Sequence, residues 1–198
     1  MKHVVGVVLA AGKSERAKGP KALFRLDDGT LIERAVRTMR AAGLDDVWVI
    51  VGPPHAERLR AHLSGVRFVD NPSPERGMLS SVREVALAAR AAGDVTGVVL
   101  SLIDHPRVSP VTIRALLDNL SGADVVRPRC RGQRGHPVYL SASALKAVRR
   151  AELDQRLSDV LRELPVLRDV EVEDEGVLDD FDTAIELLLS GAVPPEAP

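Results

Sequence analysis

Five short apolar runs, rich in β-branched residues, recur along the chain and are separated by segments with helical periodicity. Each run has the length and composition of a strand that is buried on both faces of a parallel sheet. The runs are 4–9, 47–51, 66–69, 95–100 and 125–126. Their alternation with helices predicts βα units joined by right-handed crossovers, and therefore a three-layer α/β/α sandwich.

Local signals predict where the helices begin and end. Thr30 and Glu33 have the spacing of a capping box, and the helix that follows should end near Gly43. Ser109, followed by proline, opens a second helix that runs toward Gly122. The other predicted elements are helices at about 80–92, 142–150 and 154–164, a strand at 166–172 and a helix after Thr183.

Two segments interrupt this pattern. The stretch 127–134 is basic and contains glycine, and it predicts a loop over the sheet edge before the chain resumes at Gly135. The terminal segment 191–198 is short and rich in proline, which predicts disorder. Residues 1–190 are then expected to form one domain.

Composition narrows the function classes. A net charge of −1 gives no basic field for nucleic acid, so a small-molecule substrate is favoured. Cys130 is the only cysteine, which excludes an intrachain disulfide and a cysteine-rich zinc site. The sequence shows neither an apolar stretch of about 18 residues nor a signal-peptide pattern, which predicts no membrane partner and a cytoplasmic location.

The most informative segment is 4–23, where an apolar strand runs directly into a basic loop. Gly12 and Ser14 can offer backbone and hydroxyl donors to phosphate oxygens at the carboxyl edge of a sheet. The loop also supplies positive charge from Lys13, Arg16, Lys18 and Lys21. This combination predicts a cradle for a triphosphate.

Two better-known phosphate loops and one simpler interpretation are alternatives to this cradle. The Walker pattern fails because Ala17 stands where its glycine should be, before Lys18, and Gly19 stands where its serine or threonine should be, after Lys18. The dinucleotide fingerprint fails because only Gly12 and the distant Gly19 are present. A solvated basic loop without a ligand is the remaining alternative.

Two acidic segments supply candidate metal ligands. Asp104 ends a buried strand, where a carboxylate faces the ligand crevice of a parallel sheet, although an aspartate before Pro106 can also simply begin a turn. Asp179 and Asp180 precede the last helix, and clustered carboxylates repel unless they are exposed or share a cation. Asp180 is therefore the second candidate. The neighbouring Asp182 or Thr183 can cap the helix, with the glutamate at 186 completing a box for Thr183.

Several segments together resemble the MobA-like nucleotidyltransferases, and most of all the molybdenum cofactor cytidylyltransferases. The loop of that family matches Leu9, Ala10, Ala11, Gly12, Ser14, Arg16 and Lys21. Its Asp-x-Pro, Gly-His-Pro and Asp-Ile-Asp-Thr motifs match Asp104–Pro106, Gly135-His136-Pro137 and Asp180-Phe181-Asp182-Thr183. Its Gly-x-x-x-Ser helix start is similar to Gly77 through Ser80 and Ser81. The resemblance covers nearly the whole chain and implies a Rossmann-like, mostly parallel sheet of the nucleotidyltransferase type.

The resemblance also implies roles for these residues. The loop residues, with Gly77, Ser80 and Ser81, would bind the nucleotide. Asp104 and Asp180 would hold Mg²⁺, and Arg16, Lys21 and Asp104 would serve catalysis. The acceptor would be bound by Gly135, His136, Pro137 and Arg156.

The substrates implied are CTP and a phosphorylated acceptor. Within the family, Ala-Ala-Gly at 10–12 goes with CTP, where Ala-Gly-Gly would go with GTP. Molybdopterin is the expected acceptor, with a molybdoenzyme or its chaperone as a partner.

The sequence departs from the family pattern at two places. Ala17-Lys18 replaces Met-Gly, and the family's Gly-Asp-x-Gly-Ala-Arg is reduced at 151–156 to little more than Arg156. A sugar phosphate or small phospho-acid is therefore an alternative acceptor.

Two other function classes, an oxidoreductase and a non-catalytic nucleotide-binding protein, are alternatives. Some proteins with similar loops are named oxidoreductases, but the missing G-x-G-x-x-G argues against NAD(P) binding. A non-catalytic nucleotide-binding partner would have no need of Asp104 and Asp180. His136 could act as an acid or base, but between glycine and proline a structural or acceptor-binding role is favoured.

Overall fold

The computed structural model describes residues 3–12, 14, 19–181 and 183–195. In chain order its strands are β1 (His3–Leu9), β2 (Arg25–Leu26), β3 (Gly29–Thr30), β4 (Val47–Val51), β5 (Arg67–Asp70), β6 (Val95–Leu102), β7 (Val125–Cys130), β8 (Gln133–Arg134), β9 (Val138–Ser141) and β10 (Leu167–Glu171). Its α-helices are α1 (Leu31–Ala41), α2 (Ala56–His62), α3 (Met78–Ala92), α4 (Pro110–Leu117), α5 (Ala142–Arg150), α6 (Leu157–Arg162) and α7 (Ala184–Leu189).

The main sheet has the strand order β10-β7-β9-β6-β1-β4-β5, with β8 paired to β7 and with β2 and β3 forming a separate hairpin. The pairs that involve β1, β4, β5 and β10 are parallel. Strand β9 runs antiparallel to both of its neighbours, β6 and β7. The predicted mostly parallel sheet is confirmed, and β9 and the short β8, which pairs with β7, are its antiparallel strands.

Helices cover both faces of the sheet, which confirms the three-layer sandwich. Alternate side chains of each strand enter opposite cores, as the period-two geometry of a strand requires. In β4, Val49 joins the core under α1 and α4, while Trp48 and Ile50 join the core under α3 and α5. The continuous apolar runs of the sequence therefore correspond to strands buried on both faces.

The predicted caps occur, although the helix ends differ. Thr30 and Thr183 each form a complete capping box with a glutamate three residues later. The Ser109 hydroxyl accepts a hydrogen bond from the Val111 N–H at the start of α4, which ends at Leu117 rather than near Gly122.

The basic stretch 127–134 is a hairpin, so the predicted loop is wrong. Strand β7 continues to Cys130, and Arg129 pairs with Arg134 on β8. Acidic partners on the neighbouring strand explain the difference, because Arg127 and Arg134 both contact Asp169 of β10, at 2.9 and 2.8 Å. Cross-strand pairs of opposite charge stabilise extended chain that the basic composition alone does not predict.

The tail also departs from expectation over residues 191–195. Arg25 and Val193 exchange two backbone hydrogen bonds, of 2.7 and 2.8 Å, and Ala192 is buried against the β2–β3 region. Edge pairing therefore holds this segment in place, while the positions 196–198 lie outside the described residues. No helix in the described part of the chain has both the length and the apolar character needed to cross a membrane.

Candidate active site

The carboxyl ends of β1 and β6 meet at the centre of the sheet, where Leu9 pairs with Leu102. In the sheet, β4 lies on one side of β1 and β6 on the other. After β1 the chain continues to β4, and it returns through α3 to β6 on the opposite side of β1. Such a reversal of strand order opens a crevice in which α/β proteins bind ligands. The loop after β1 carries Gly12, and the loop after β6 carries Asp104.

A cavity of about 570 Å³ occupies this crevice. That volume lies within the usual range for sites that bind small molecules. The lining residues come from three separate parts of the chain: Leu9, Ala11, Gly12, Ser14 and Lys21; Pro74, Glu75, Gly77, Met78 and Ser81; and Leu102, Ile103 and Asp104.

Lys21 places a positive charge in the wall of the cavity. The residue is only 6% exposed, and its Nζ lies 3.6 Å from Asp104 Oδ2. Its backbone N–H donates to the Ser14 hydroxyl at 3.2 Å, which closes the loop on itself. The Ser14 hydroxyl therefore organises the loop as well as lining the cavity. An ammonium group held in this way can face the phosphates of a ligand.

Asn71 organises the opposite wall and was not predicted. It is almost fully buried at the end of β5, and its Nδ2 donates to the hydroxyls of Ser80 and Ser81, each at 2.9 Å. Its Oδ1 accepts the Ser73 N–H at 2.9 Å. The signal that could have identified it is the one used for Asp104, a polar residue directly after a strand of the parallel sheet. Gly77, at a φ of 84°, then begins α3 at the cavity.

Asp104 is the acidic residue of the cavity loop after β6 and is a candidate ligand for a cation. Its Oδ1 is buried and has no hydrogen-bond partner among the described residues, while its backbone carbonyl accepts the Phe181 N–H at 3.1 Å. That bond brings the exposed Asp180, next in the chain, to the Asp104 loop. No group of three or more His, Cys, Asp or Glu suited to a metal occurs within the described ranges. Mg²⁺ needs fewer, since one or two carboxylates suffice when substrate phosphates complete the shell.

Two histidines lie behind Asp104. The rings of His105 and His136 are 5.1 Å apart, and the Nδ1 atom of each is buried without a hydrogen-bond partner among the described residues. Burial, together with the nearby charge of His105, lowers the pKa of His136 from 6.5 to about 4. His136 is therefore neutral at pH 7 and is poorly suited to act as a general acid there.

The predicted site residues separate into groups. Eight of them line the cavity: Leu9, Ala11, Gly12, Ser14, Lys21, Gly77, Ser81 and Asp104. Ala10 and Ser80 are buried and do not belong to the lining. Arg16 lies outside the described residues, as do Lys13, Lys18 and Asp182.

The residues predicted to bind the acceptor are less closely grouped. Gly135 and His136 pack against the chain at Val177, and the His136 N–H donates to the Val177 carbonyl at 3.0 Å. Pro137 follows in a buried position. Arg156 is exposed on the residue before α6 and is not among the residues that line the cavity. The assignment of these four residues stays a prediction.

The chain is similar to several known proteins over most of its length. It is 32% identical over 197 residues to the nicotine blue oxidoreductase of Paenarthrobacter nicotinovorans, covering 93% of this chain and 94% of that one. It is 33% identical over 105 residues to a "Probable molybdenum cofactor guanylyltransferase" of Opitutus terrae, covering 53% of this chain and 50% of the relative.

A solved structure has the same fold. The crystal structure of Rv0371c from Mycobacterium tuberculosis superposes with a TM-score of 0.80 at 31% identity, covering 96% of this chain and 97% of that one. A second structure of that mycobacterial protein is a complex with manganese, with a TM-score of 0.70 and coverage of 86% and 88%.

A profile of the MobA-like NTP transferase domain matches residues 6–170, which include the β1 loop, the start of α3, the Asp104 loop and the Gly135–Pro137 segment. The match covers well over half of the chain and agrees with the nucleotidyltransferase type of fold that the sequence motifs implied. The chain therefore belongs to the MobA-like NTP transferase family.

Proposed function

We propose that this nucleotidyltransferase transfers CMP from CTP to a phosphorylated acceptor and releases pyrophosphate. The observation that carries the proposal is the cavity in which the Gly12 loop, the buried Lys21 and Asp104 come together at the carboxyl edge of the sheet. These are the groups needed to hold a triphosphate and to offset its charge during transfer.

The reaction joins an acceptor phosphate oxygen to the α-phosphorus while the bond to the β-phosphate oxygen breaks. The bonding electrons leave with the pyrophosphate. An acceptor phosphate is already ionised, so no protein base is required, and the protein contributes positioning and charge. Lys21 would face the α-phosphate. Arg16, whose role follows from the family resemblance, would hold the leaving pyrophosphate.

Asp104 and Asp180 would hold Mg²⁺ in this site. When bound, the ion neutralises phosphate charge and so lowers the repulsion between the two anionic substrates. Support comes from the buried Oδ1 of Asp104, which has no hydrogen bond within the described residues and lies 3.8 Å from His105 Nε2, and from the bond between the Phe181 N–H and the Asp104 carbonyl. The manganese complex of the mycobacterial relative is in keeping with a divalent cation.

The choice of CTP depends on Ala11. Its side chain is 3% exposed, lines the cavity and packs against Gly52, where an added methyl would lie 3.3 Å from the Ala11 Cβ. The Ala11 methyl forms part of the cavity wall, and we infer that it restricts how closely a base approaches the loop. The smaller cytosine would be favoured over guanine for that reason.

Molybdopterin is the acceptor we propose, with a molybdoenzyme or its chaperone as the recipient of the product. A sugar phosphate or small phospho-acid is the alternative, because the segment 151–156 retains little of the family's acceptor motif. The predicted cytoplasmic location and the boundary of the domain at 190 stay predictions.

The central experiment measures pyrophosphate release from CTP, GTP, ATP and UTP with Mg²⁺, with and without molybdopterin. We expect release from CTP that requires both the metal and the acceptor. Release from GTP at an equal or higher kcat/KM would overturn the base assignment. Absence of release from all four nucleotides would overturn the molybdopterin assignment, and a panel of sugar phosphates would then identify another acceptor.

An alanine-to-glycine pair tests the role of Ala11 directly. Ala11→Gly should raise the kcat/KM for GTP relative to CTP by roughly 10-fold or more, the effect of one methyl group in a specificity pocket. Ala123→Gly removes a methyl that is equally buried, before β7 and outside the cavity lining, and should leave the ratio unchanged. An unchanged ratio in Ala11→Gly would mean that other residues select the base.

A second function is suggested by the name of one relative, the nicotine blue oxidoreductase. Titration with NADH and NADPH, followed by the fluorescence of the nicotinamide, distinguishes the two functions. We expect no binding, because the loop after β1 lacks the glycines of a dinucleotide fingerprint. Micromolar binding of either nucleotide would favour hydride transfer instead.

A further inference from the structure

The segment 174–181, which carries Asp179 and Asp180, contains little regular structure of its own. Its only regular element is a 3₁₀ turn at Glu175–Val177. The segment is nevertheless held by contacts along its whole length, and those contacts determine where Asp180 lies.

Asp174 fixes the first end of the segment. Its Oδ2 accepts hydrogen bonds from the Ser109 N–H at 2.8 Å and from the Thr112 hydroxyl at 2.6 Å. Its Oδ1 accepts the Gly176 N–H at 3.1 Å. One carboxylate therefore links the segment to the first turn of α4, which begins a few residues after Asp104.

Two close backbone approaches fix the middle. A methyl group on Gly176 would lie 2.4 Å from the Arg107 carbonyl oxygen, so no larger residue fits there without movement. The Val177 carbonyl accepts the His136 N–H at 3.0 Å, and a methyl group on Gly135 would lie 2.1 Å from that same oxygen.

The far end reaches the active site. The Phe181 N–H donates to the Asp104 carbonyl at 3.1 Å. Arg107 lies 3.6 Å from Asp179 and stacks 5.1 Å from the Phe181 ring, so both neighbours of Asp180 contact one guanidinium. Asp180 itself is exposed. Asp180 lies between two anchored residues, so the anchoring of the segment helps to set where Asp180 lies.

We infer that Asp174 is a positioning residue that sets Asp180 beside Asp104 for metal binding. The inference rests on the proposed function, in which Asp180 is a metal ligand. Asp174 touches neither substrate nor metal in this assignment and acts through the course of the segment. Removing one of its two acceptor oxygens frees either the α4 anchor or the turn at Gly176, and the segment can then carry Asp180 away from Asp104.

The test compares two aspartate-to-asparagine substitutions. Asp174→Asn removes one acceptor oxygen at the anchor. Asp124→Asn is the matched control, because Asp124 also accepts a backbone N–H, that of Val166 at 3.2 Å, and two serine hydroxyls. Asp124 lies at the opposite edge of the sheet, before β7, so its loss perturbs the fold without reaching the site.

Mn²⁺ serves as the probe, and its Kd is measured by electron paramagnetic resonance in the presence of CTP. Asp174→Asn should raise the Kd by roughly 10-fold or more, as the loss of groups that orient metal ligands usually does. Asp124→Asn should leave the Kd unchanged. Thr112→Val removes a single donor to Asp174 and should also raise the Kd, by a smaller factor. This variant keeps the inference testable if Asp174→Asn does not fold.

Asp180→Ala separates this inference from the proposal on which it rests. An unchanged Kd in Asp180→Ala would overturn the metal assignment and the positioning role together. A raised Kd in Asp180→Ala with wild-type values in Asp174→Asn and Thr112→Val would overturn the positioning role alone. An equal rise in the Kd for Mn²⁺ in Asp174→Asn and Asp124→Asn would also overturn the positioning role, since an equal rise would reflect general loosening of the fold.

Discussion

Lys21 is the one cation in the described part of the β1 loop, and its burial sets it apart from an ordinary surface lysine. A buried ammonium group needs a compensating partner, which Asp104 provides at 3.6 Å. The two side chains join the ends of β1 and β6 into one site. A ligand phosphate that enters the cavity meets an ammonium whose position is already fixed, which lowers the reorganisation needed during reaction.

Lys21→Met tests this role while preserving most of the side-chain volume. The kcat/KM for pyrophosphate release should fall by roughly 100-fold, as expected for a group that faces transition-state charge. The control is Lys146→Met on the exposed surface of α5, which should retain wild-type activity. Comparable kcat/KM values for the two variants would support the alternative interpretation, in which the basic loop is a solvated surface that binds no ligand.

His136 gives the protein a stability that depends on pH. Its pKa is about 4 in the folded protein against an ordinary value of 6.5, because burial and the charge of His105 disfavour the protonated ring. Between these two values the unfolded chain binds the extra proton, so stability increases with pH across that window and is lost on acidification. The contribution is about 1.4 kcal/mol for each pH unit within the window.

His136→Gln should remove this dependence. The free energy of unfolding, measured with urea from pH 4 to pH 8, should rise less steeply with pH in the variant than in the wild type. The difference between the two slopes should vanish above pH 7, where the ring is neutral in both states. Parallel curves throughout the range would show that folding does not suppress protonation of this ring.

At the scale of elements, the site depends on backbone contacts between segments that are distant in sequence. A methyl group on Gly135 would lie 2.1 Å from the Val177 carbonyl oxygen, a distance that real side chains do not adopt. Since the neighbour is backbone rather than a flexible side chain, one of the two segments must move. The absence of a side chain at Gly135 is thus a packing requirement between β9 and the segment 174–181.

Gly135→Ala should lower the free energy of unfolding by about 1–3 kcal/mol, the usual cost of forcing extra atoms into a packed interior. Gly19→Ala is the control, because an added methyl there meets no atom of the described residues within 4 Å. Urea denaturation of both variants provides the comparison. An equally stable Gly135→Ala protein would mean that the two segments can separate at no cost.

Much of the architecture could be predicted from the sequence because strands buried on both faces leave an unmistakable apolar run, as in Val47–Val51. The hairpin of β7 and β8 could not, since its arginines are stabilised by Asp169, about 40 positions later. Strand β9 could not be predicted from the sequence for a related reason. It is only four residues long, and its antiparallel direction is set by pairing with β6 rather than by its own composition.

Some residues of the site could likewise be predicted from the sequence, and others could not. Residues that closely follow strand ends, such as Gly12 and Asp104, could be predicted because ligands bind at the carboxyl edge of a parallel sheet. Asn71, His105 and Asp174 could not be assigned roles, because their importance comes from partners that only the fold brings near. Each of them acts on another residue of the site: Asn71 on Ser81, His105 on His136, and Asp174 on the segment that carries Asp180.

At the scale of the whole molecule, the cavity draws its walls from 9–21, 74–81 and 102–104, so one ligand touches segments that are far apart in the chain. A nucleotide that binds only the folded state stabilises the whole protein by about 2.7 kcal/mol when its concentration is 100 times its Kd. The segments at the cavity should respond further, because their local opening requires the ligand to leave.

Hydrogen exchange with and without CTP and Mg²⁺ measures this response. Amides of residues 21–23, 71–81 and 102–105 should exchange more slowly in the complex, because a bound nucleotide blocks the local openings through which they exchange. The β7–β8 hairpin at 125–134 contributes nothing to the cavity lining, so amides there that exchange by local opening should keep their rates. Addition of EDTA with CTP present should reverse most of the protection if the metal is required.

A second cavity of about 440 Å³ lies between α1 and α2, lined by residues that include Asp28, Arg37 and His62. Protection concentrated there, rather than at the β1 and β6 loops, would place the nucleotide on the other side of α1 and contradict the proposed site.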